Sequence, residues 1–392
     1  MFKRLLNPLI TESFFIFGPR GCGKTTFLRE FFSTKNVKVI NLLEGAAEER
    51  YARDPDTLSR EVLSDPQFEW IIVDEIQKCP KLLDIVHNLI ETPSVQTKFA
   101  LTGSSARKLK RGAANLLAGR ALVNNMFPLT YVEIGESFDL NSTLAFGTLP
   151  KIVTTTDNIA KSEFLKTYAR TYLKEEVWAE HLIRDLDSFR KFLEVAAQAN
   201  SEIINYTAIA KQVGTTLHNV KTYFEILEGT LVGNIVEAYH TSVRKRLIES
   251  PKFYFFDTGV KRALDHTISL GLLAGTYDFG KMFETFIINQ MISLATYHRK
   301  DYRFGYLKTK DGAEIDLVIE RPGMPIALIE IKSTSQVNIG ELRNLQNFAQ
   351  DIGNARGFVL SLDSARQRNE MIEMLPWKEG ILEILDITNP KH

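Results

Sequence analysis

Gly18-Pro19-Arg20-Gly21-Cys22-Gly23-Lys24-Thr25 decides how the rest of the chain is read. The eight residues fit G-x-x-x-x-G-K-[ST], a loop that cradles phosphate. Before them Phe14-Phe15-Ile16-Phe17 reads as a short buried strand, and residues 24–32 after them read as a helix. That is the setting such a loop needs. Gly18, Gly21 and Gly23 let the backbone turn its N–H groups toward phosphate oxygens, and the helix offers its positive end to the same anion. Lys24 adds a mobile cation for the β- and γ-phosphates, and the Thr25 hydroxyl is a ligand for Mg²⁺. The expected nucleotide contacts are Gly18, Pro19, Arg20, Gly21, Cys22, Gly23, Lys24, Thr25 and the adjoining Thr26, with ATP and Mg²⁺ as cofactors. The plain alternative is a glycine-rich turn followed by a chance Lys-Thr; the strand, the helix and an acidic partner downstream weigh against it.

That partner is Trp70-Ile71-Ile72-Val73-Asp74-Glu75, a buried parallel strand ending in two carboxylates, as in a Walker B segment. Asp74 is expected to hold the Mg²⁺ shell, and Glu75 to orient or deprotonate the attacking water. Two acids there would also suit the cap of a following helix. Residues 37–42 read as a β-branched strand, and residues 44–66 as partly helical with breaks at Asp54-Pro55 and Asp65-Pro66. A further strand, Lys98-Phe99-Ala100-Leu101-Thr102, runs into Gly103-Ser104-Ser105. Thr102 is a candidate sensor of the γ-phosphate or the water, or else a turn residue satisfying its own backbone. Strands alternating with helices make residues 1–140 an α/β unit with a mainly parallel sheet. No N/T-K-x-D guanine-reading motif is present, which favours ATP over GTP.

Further stretches occur in a recognisable order: Asp74-Glu75-Ile76-Gln77-Lys78, Leu101-Thr102-Gly103-Ser104-Ser105, Leu117-Ala118-Gly119-Arg120 and Phe127-Pro128-Leu129. With Gly18-Pro19-Arg20 they resemble the AAA-type P-loop ATPases of bacteria and archaea that carry a DUF4143 C-terminal region. The resemblance implies that Arg120 stabilises transition-state charge, in cis or as a finger from a neighbouring subunit in a homo-oligomer. A helix-terminal structural arginine is the alternative.

At 392 residues the chain is long enough for two or three domains. Its 48 basic and 48 acidic side chains cancel, so any polyanion site must be a local patch. Cys22 and Cys79 alone exclude a disulfide framework and a cysteine-rich zinc site. The histidines show no metal-ligand spacing. No apolar run spans a membrane, because Asn7, Thr11 and Glu12 break the N-terminal one, and a cytoplasmic location is expected.

Residues 141–264 read as a helical linker and a winged helix-turn-helix. Residues 164–185 are charged and aromatic-rich, and Tyr168-Ala169-Arg170-Thr171-Tyr172-Leu173 again resembles the family. Helices are expected over 189–199 and 206–213, then a Gly214-Thr215 turn, then a helix capped by Thr216 with Leu217, Val220, Phe224 and Leu227 on one face. Strands over 231–238 and 252–256 complete the pattern. His218, Asn219, Lys221 and Thr222 would face DNA, and Arg244-Lys245-Arg246 would contact phosphates from the wing. Winged helices also dock proteins. Five basic and five acidic side chains over residues 201–250 leave that option open.

Residues 265–392 carry a helical stretch over 280–297 with Phe283, Phe286, Ile287 and Met291 on one side and Glu284 beside them. An acid-bearing strand with Asp316 follows a hairpin turn at Asp311-Gly312, and a largely apolar strand then carries Glu330 and Lys332. Residues two apart on a strand share a face, so Glu330 and Lys332 converge, and Asp316 on a neighbouring antiparallel strand can join them. Asp-x₁₃-Glu-x-Lys matches the PD-(D/E)xK nuclease core, in which Asp316 and Glu330 bind Mg²⁺ and Lys332 stabilises charge. The resolvase-like members of that group add a helix-borne acid, here Glu284. The whole reads as an α/β multidomain ATPase acting on duplex or branched DNA. The competing reading is a nucleotide-controlled switch for a protein partner, whose nuclease-like domain never cuts.

Overall fold

The computed structural model describes residues 2–65, 67–104, 116–172, 185–240, 249–310, 312–369 and 371–388. The expected wing cations Arg244-Lys245-Arg246, Ser105 and Asp311 lie outside them, as does most of the charged stretch after Tyr172.

An apolar run without alternation can be satisfied only by burial on both faces. Ser13–Phe17 (β1) meets that demand, with all five residues buried. Phe14 and Ile16 point into one cluster with Phe27, Phe32 and Trp70; Phe15 and Phe17 point into another with Ile71, Val73 and Val86. Strands Val37–Asn41 (β2), Trp70–Asp74 (β3), Lys98–Gly103 (β4) and Ala121–Asn125 (β5) join β1 in the order β2-β3-β4-β1-β5. Every pairing in this sheet is parallel. The carboxyl ends of β1, β3 and β4 therefore lie side by side, where ligands of open parallel sheets bind.

The second sheet is mixed. Its strands are Gly233–Ala238 (β6), Lys252–Phe255 (β7), Arg303–Lys308 (β8), Glu314–Glu320 (β9), Ile326–Lys332 (β10), Ala355–Ser361 (β11), Gln367–Asn369 (β12) and Ile372–Pro376 (β13). They run β12-β13-β11-β10-β9-β8-β6-β7. The helix Tyr277–Tyr297 packs on this sheet and is buried all round, not on one face as its periodicity suggests. No described helix is long and apolar enough to cross a membrane.

Between the sheets, helices Leu186–Gln198, Tyr206–Val213 and Leu217–Gly229 form, with Gly214 left-handed at the turn. Thr216 caps the last of them through its hydroxyl. Its buried face is Val220, Tyr223, Phe224, Ile226 and Leu227; Leu217, expected on that face, is instead 43% exposed as the first residue of the helix. The β6–β7 hairpin pairs antiparallel, and β6 continues into the C-terminal sheet through Glu237↔Gly305 and Ala238↔Tyr306. The three helices share a core with the P-loop helix: Phe192, Val220 and Phe224 belong to the cluster of Phe14 and Phe27. Packing thus runs across both expected division lines, 140/141 and 264/265. Which distant strand an edge pairs with is not written in its local sequence.

One junction is notably tight. Asp257 caps the helix Thr258–Leu264 and accepts Thr148 N–H at 2.7 Å, while burial pushes its carboxyl up to about 6. Gly147 lies against that carboxylate with φ +79°, and an added Cβ would fall 2.0 Å from Asp257 Oδ1. Gly147→Ala is expected to destabilise the chain by about 2 kcal/mol or more, from strain plus overpacking. Urea titration tests this, and a midpoint equal to that of the unsubstituted chain would refute it.

Candidate nucleotide-binding site

The loop after β1 closes tightly. Gly21 and Gly23 take left-handed φ of +81° and +94°, and Gly23 leads into the helix Lys24–Phe31 (α1). A Cβ on Gly18 would sit 2.3 Å from the Met126 carbonyl oxygen, so that position demands glycine. Lys24, buried, donates from Nζ to the carbonyls of Gly18 at 2.7 Å and Pro19 at 3.3 Å. Cys22 is buried and Thr26 exposed beside it.

Thr25 Oγ1 donates to Asp74 Oδ2 at 2.6 Å, bringing together the two oxygens expected to hold Mg²⁺. Thr102, 0% exposed, donates its hydroxyl to Asp74 Oδ1 and accepts Glu75 N–H at 3.0 Å. It thus bridges the two acids. Glu75 itself has φ +60°, a conformation that costs a non-glycine residue about 1 kcal/mol or more and recurs where function demands it. Gln77 Nε2 donates to the Glu75 carboxylate, and Gln77 Oε1 is buried without a hydrogen-bond partner in the structure. A cavity of about 490 Å³ opens beside the loop, bounded by Gly23, Thr26, Phe27, Leu129 and Pro150. The glycine cradle, the adjoined hydroxyl and carboxylate, and the orphaned acceptor next to Glu75 all fit a magnesium-bound nucleoside triphosphate.

Arg120 is not brought to this site. β5 runs parallel to β1 with Ala121 level with Ser13, so Arg120 lies at the end of the sheet opposite the loop. That separation is roughly 16 Å at the ordinary strand rise. It pairs there with Glu91, which excludes a role on its own chain's loop in this arrangement.

Residues with no motif to mark them complete the setting. The Arg4 guanidinium donates to Glu133 Oε1, the Cys22 and Phe127 carbonyls and the Tyr297 hydroxyl, at 2.9, 3.0, 2.7 and 2.9 Å. Tyr168, on a π-helical turn Tyr168–Tyr172, donates to the Arg20 carbonyl at 2.8 Å. The loop is therefore held from behind by the N-terminus, the middle helices and the long C-terminal helix together. For Tyr168 the shared Tyr-Ala-Arg stretch was a signal; for Arg4 there was none.

The sequence-expected acids of the C-terminal region also come close. Asp316 Oδ2 accepts Ile331 N–H at 2.8 Å, and Lys332 Nζ donates to Glu330 Oε1 at 2.9 Å. Glu284 Oε1 accepts the Tyr254 hydroxyl at 2.8 Å and lies 3.7 Å from Lys252 Nζ. Burial first, then the Asp316 charge, pushes Glu284 and Glu330 up to about 7. Burial raises Asp316 as well. Among the described residues no group of three His, Cys, Asp or Glu side chains is arranged to hold a metal ion. Asp316 and Glu330, the acids expected to bind Mg²⁺, lie on adjoining strands, and the ammonium of Lys252, which no motif marks, stands close by between Glu284 and Glu314.

Comparison with known proteins agrees with the first sheet's geometry. Residues 11–135 match the family model of an AAA domain. The N-terminal unit is thus similar to AAA domains. Beyond that stretch, residues 137–272 and 279–379 match two domains of unknown function, DUF8612 and DUF4143. The uncharacterized protein Rv2008c of Mycobacterium tuberculosis is 25% identical over 86% of this chain and 74% of its own length. An uncharacterized Haemophilus influenzae protein is 24% identical over 63% of this chain and 68% of its own. Among solved structures, the replication initiator DnaA of Aquifex aeolicus bound to AMPPCP aligns at 13% identity and TM-score 0.27, over 57% of this chain and 83% of DnaA. McrB AAA+ hexamers of Thermococcus gammatolerans with bound McrC align at 12% and 0.23, over 52% of each chain. Likenesses that slight carry no argument about activity.

Proposed function

We propose that this chain binds ATP with Mg²⁺ at the loop after β1, hydrolyses it, and couples hydrolysis to engagement of duplex or branched DNA. The observation that carries the ATPase reading is the meeting of Thr25, Asp74, Thr102 and Glu75 at adjacent strand ends. The Thr25 hydroxyl and Asp74 would hold Mg²⁺, which when bound would neutralise phosphate charge. Lys24 exchanges the Gly18 and Pro19 carbonyls for phosphate oxygens, and the loop N–H groups hold the remaining charge. The nucleoside occupies the cavity beside Thr26 and Phe27. Water held by Glu75, with the Gln77 amide beside it, gives its proton to the carboxylate as its oxygen bonds to the γ-phosphorus, and the bond to the ADP oxygen breaks. Arg120 belongs, on this reading, to a neighbouring copy's site in a homo-oligomer; a molar mass that stays that of one chain with ATP present would remove that role.

The DNA part rests on the helix Leu217–Gly229, where His218 and Lys221 are exposed and Asn219 and Thr222 half-exposed behind a capped turn. The test pairs fluorescence anisotropy on labelled linear, forked and four-way DNA with phosphate release. The expected result is binding that weakens several-fold in a Lys221→Glu variant, and hydrolysis that responds to DNA. Hydrolysis indifferent to every DNA, with no binding, would overturn it in favour of a nucleotide-controlled switch docking a protein partner. Lys252 beside Glu284 and Glu314, a cation that the nuclease pattern does not include, favours that second reading. A cytoplasmic location belongs to both readings.

A further inference from the structure

Lys252 opens β7 and is 2% exposed, an unusual fate for a lysine. Its ammonium lies 2.5 Å from Glu314 Oε1 and 3.7 Å from Glu284 Oε1, over the Tyr306 ring at 5.5 Å. Two residues on, and so on the same face of the strand, Tyr254 donates to Glu284. Lys281 approaches Glu284 at 3.7 Å and Glu202 at 2.8 Å, and Lys308 pairs with Glu314 at 2.8 Å. The acids come from β9, β10 and the long helix, but Lys252 and Tyr254 come from the hairpin that follows the helix-turn-helix. Burial works against the Lys252 charge, and Glu284, Asp316 and Glu314 together more than offset it, so the ammonium stays protonated.

We propose that Lys252 is the resident cation of this cluster: its ammonium, paired with acids of β9 and of the long helix, neutralises them in place of a divalent ion, and it latches the β6–β7 hairpin onto the C-terminal sheet. The cluster is then a charge-neutral joint between the DNA-facing helices and the C-terminal sheet, and takes up no divalent metal while the hairpin is seated. A buried carboxylate group left without its lysine has two remedies, protons or another cation. Lys252→Met, close in volume and uncharged, is therefore expected to create a divalent site.

The test is Mn²⁺ binding by calorimetry on the full chain without nucleotide. The unsubstituted protein and Asp316→Asn are expected to take up Mn²⁺ identically. Lys252→Met is expected to gain one site at least tenfold tighter than any in the unsubstituted protein, and Lys252→Met with Asp316→Asn to lose it again. A site in the unsubstituted protein that Asp316→Asn removes would overturn the proposal, as would a folded Lys252→Met that gains nothing. Should Lys252→Met fail to fold, Mn²⁺-dependent cleavage of labelled DNA decides: cleavage by the unsubstituted protein, lost in Asp316→Asn, overturns the latch, and its absence upholds it. The inference does not rest on the ATPase reading, since no arm of the experiment uses the nucleotide.

Discussion

Lys24→Ala is expected to reduce ATP hydrolysis about a hundred- to a thousandfold and to weaken nucleotide binding with it, whereas Glu75→Gln is expected to stop hydrolysis with affinity nearly unchanged. The two differ because the side chains act at different moments. Lys24 is already inside the site, donating to Gly18 and Pro19 carbonyls that ATP phosphates would replace as acceptors. Losing it removes charge-assisted contacts from both the bound state and the transition state, a loss of the order seen for a single preorganised donor. Glu75, on the proposed reading, serves the water instead, and it is held in place by its own backbone bond to Thr102 and by Gln77. Glutamine keeps its volume but cannot accept a proton, and a positioned base contributes about a hundred- to ten-thousandfold. Phosphate release and equilibrium binding of a fluorescent ATP analogue separate the two. Wild-type turnover in Glu75→Gln would sink the assignment of that residue, and unchanged binding in Lys24→Ala would sink the site.

Arg4→Met is expected to be the most destabilising single change outside the apolar cores, at about 3–5 kcal/mol. The Glu133 side chain is 0% exposed and pairs with Arg4 at 2.9 Å. It also accepts Leu5 N–H and Thr130 N–H, both at 2.8 Å, so the carboxylate cannot turn away to find water. Removing the guanidinium strands a buried charge and frees the Cys22 and Phe127 carbonyls as well. Arg4→Met combined with Glu133→Gln should recover part of the loss, because the stranded charge is then gone. Urea titration of the three variants tests this; a loss under about 1 kcal/mol in Arg4→Met, or no recovery in the pair, would show that the contact is peripheral.

The P-loop, the strand before it and the acidic strand were legible because each is a local pattern with a fixed chemical reason. An unbroken apolar run must be a buried strand, and glycines at 21 and 23 must permit positive φ. The helices Tyr206–Val213 and Leu217–Gly229 and the turn between them were legible for the same reason, through Gly214 and Thr216. What could not be read depends on distant pairing. Arg120 looked like a site residue by its position in a motif, and the parallel register of β5 with β1 carries it to the far end of the sheet. Lys252 sits in an aromatic strand with nothing to distinguish it from a surface lysine, and only the joining of that hairpin to β8 buries it. Asp316 lies on β9, and Glu330 and Lys332 on the adjoining β10, but a pattern within those two strands could not announce a cation arriving from β7.

The hairpin has loyalties on both sides. Its strands complete the C-terminal sheet, while Phe253 and Phe255 from it lie in the core shared with Phe14 beneath the phosphate loop. Such a chain offers no seam. Dividing it at any of the family-model borders would either bare a raw strand edge or split an apolar interior, so the three stretches behave as parts of one casting and not as interchangeable cartridges.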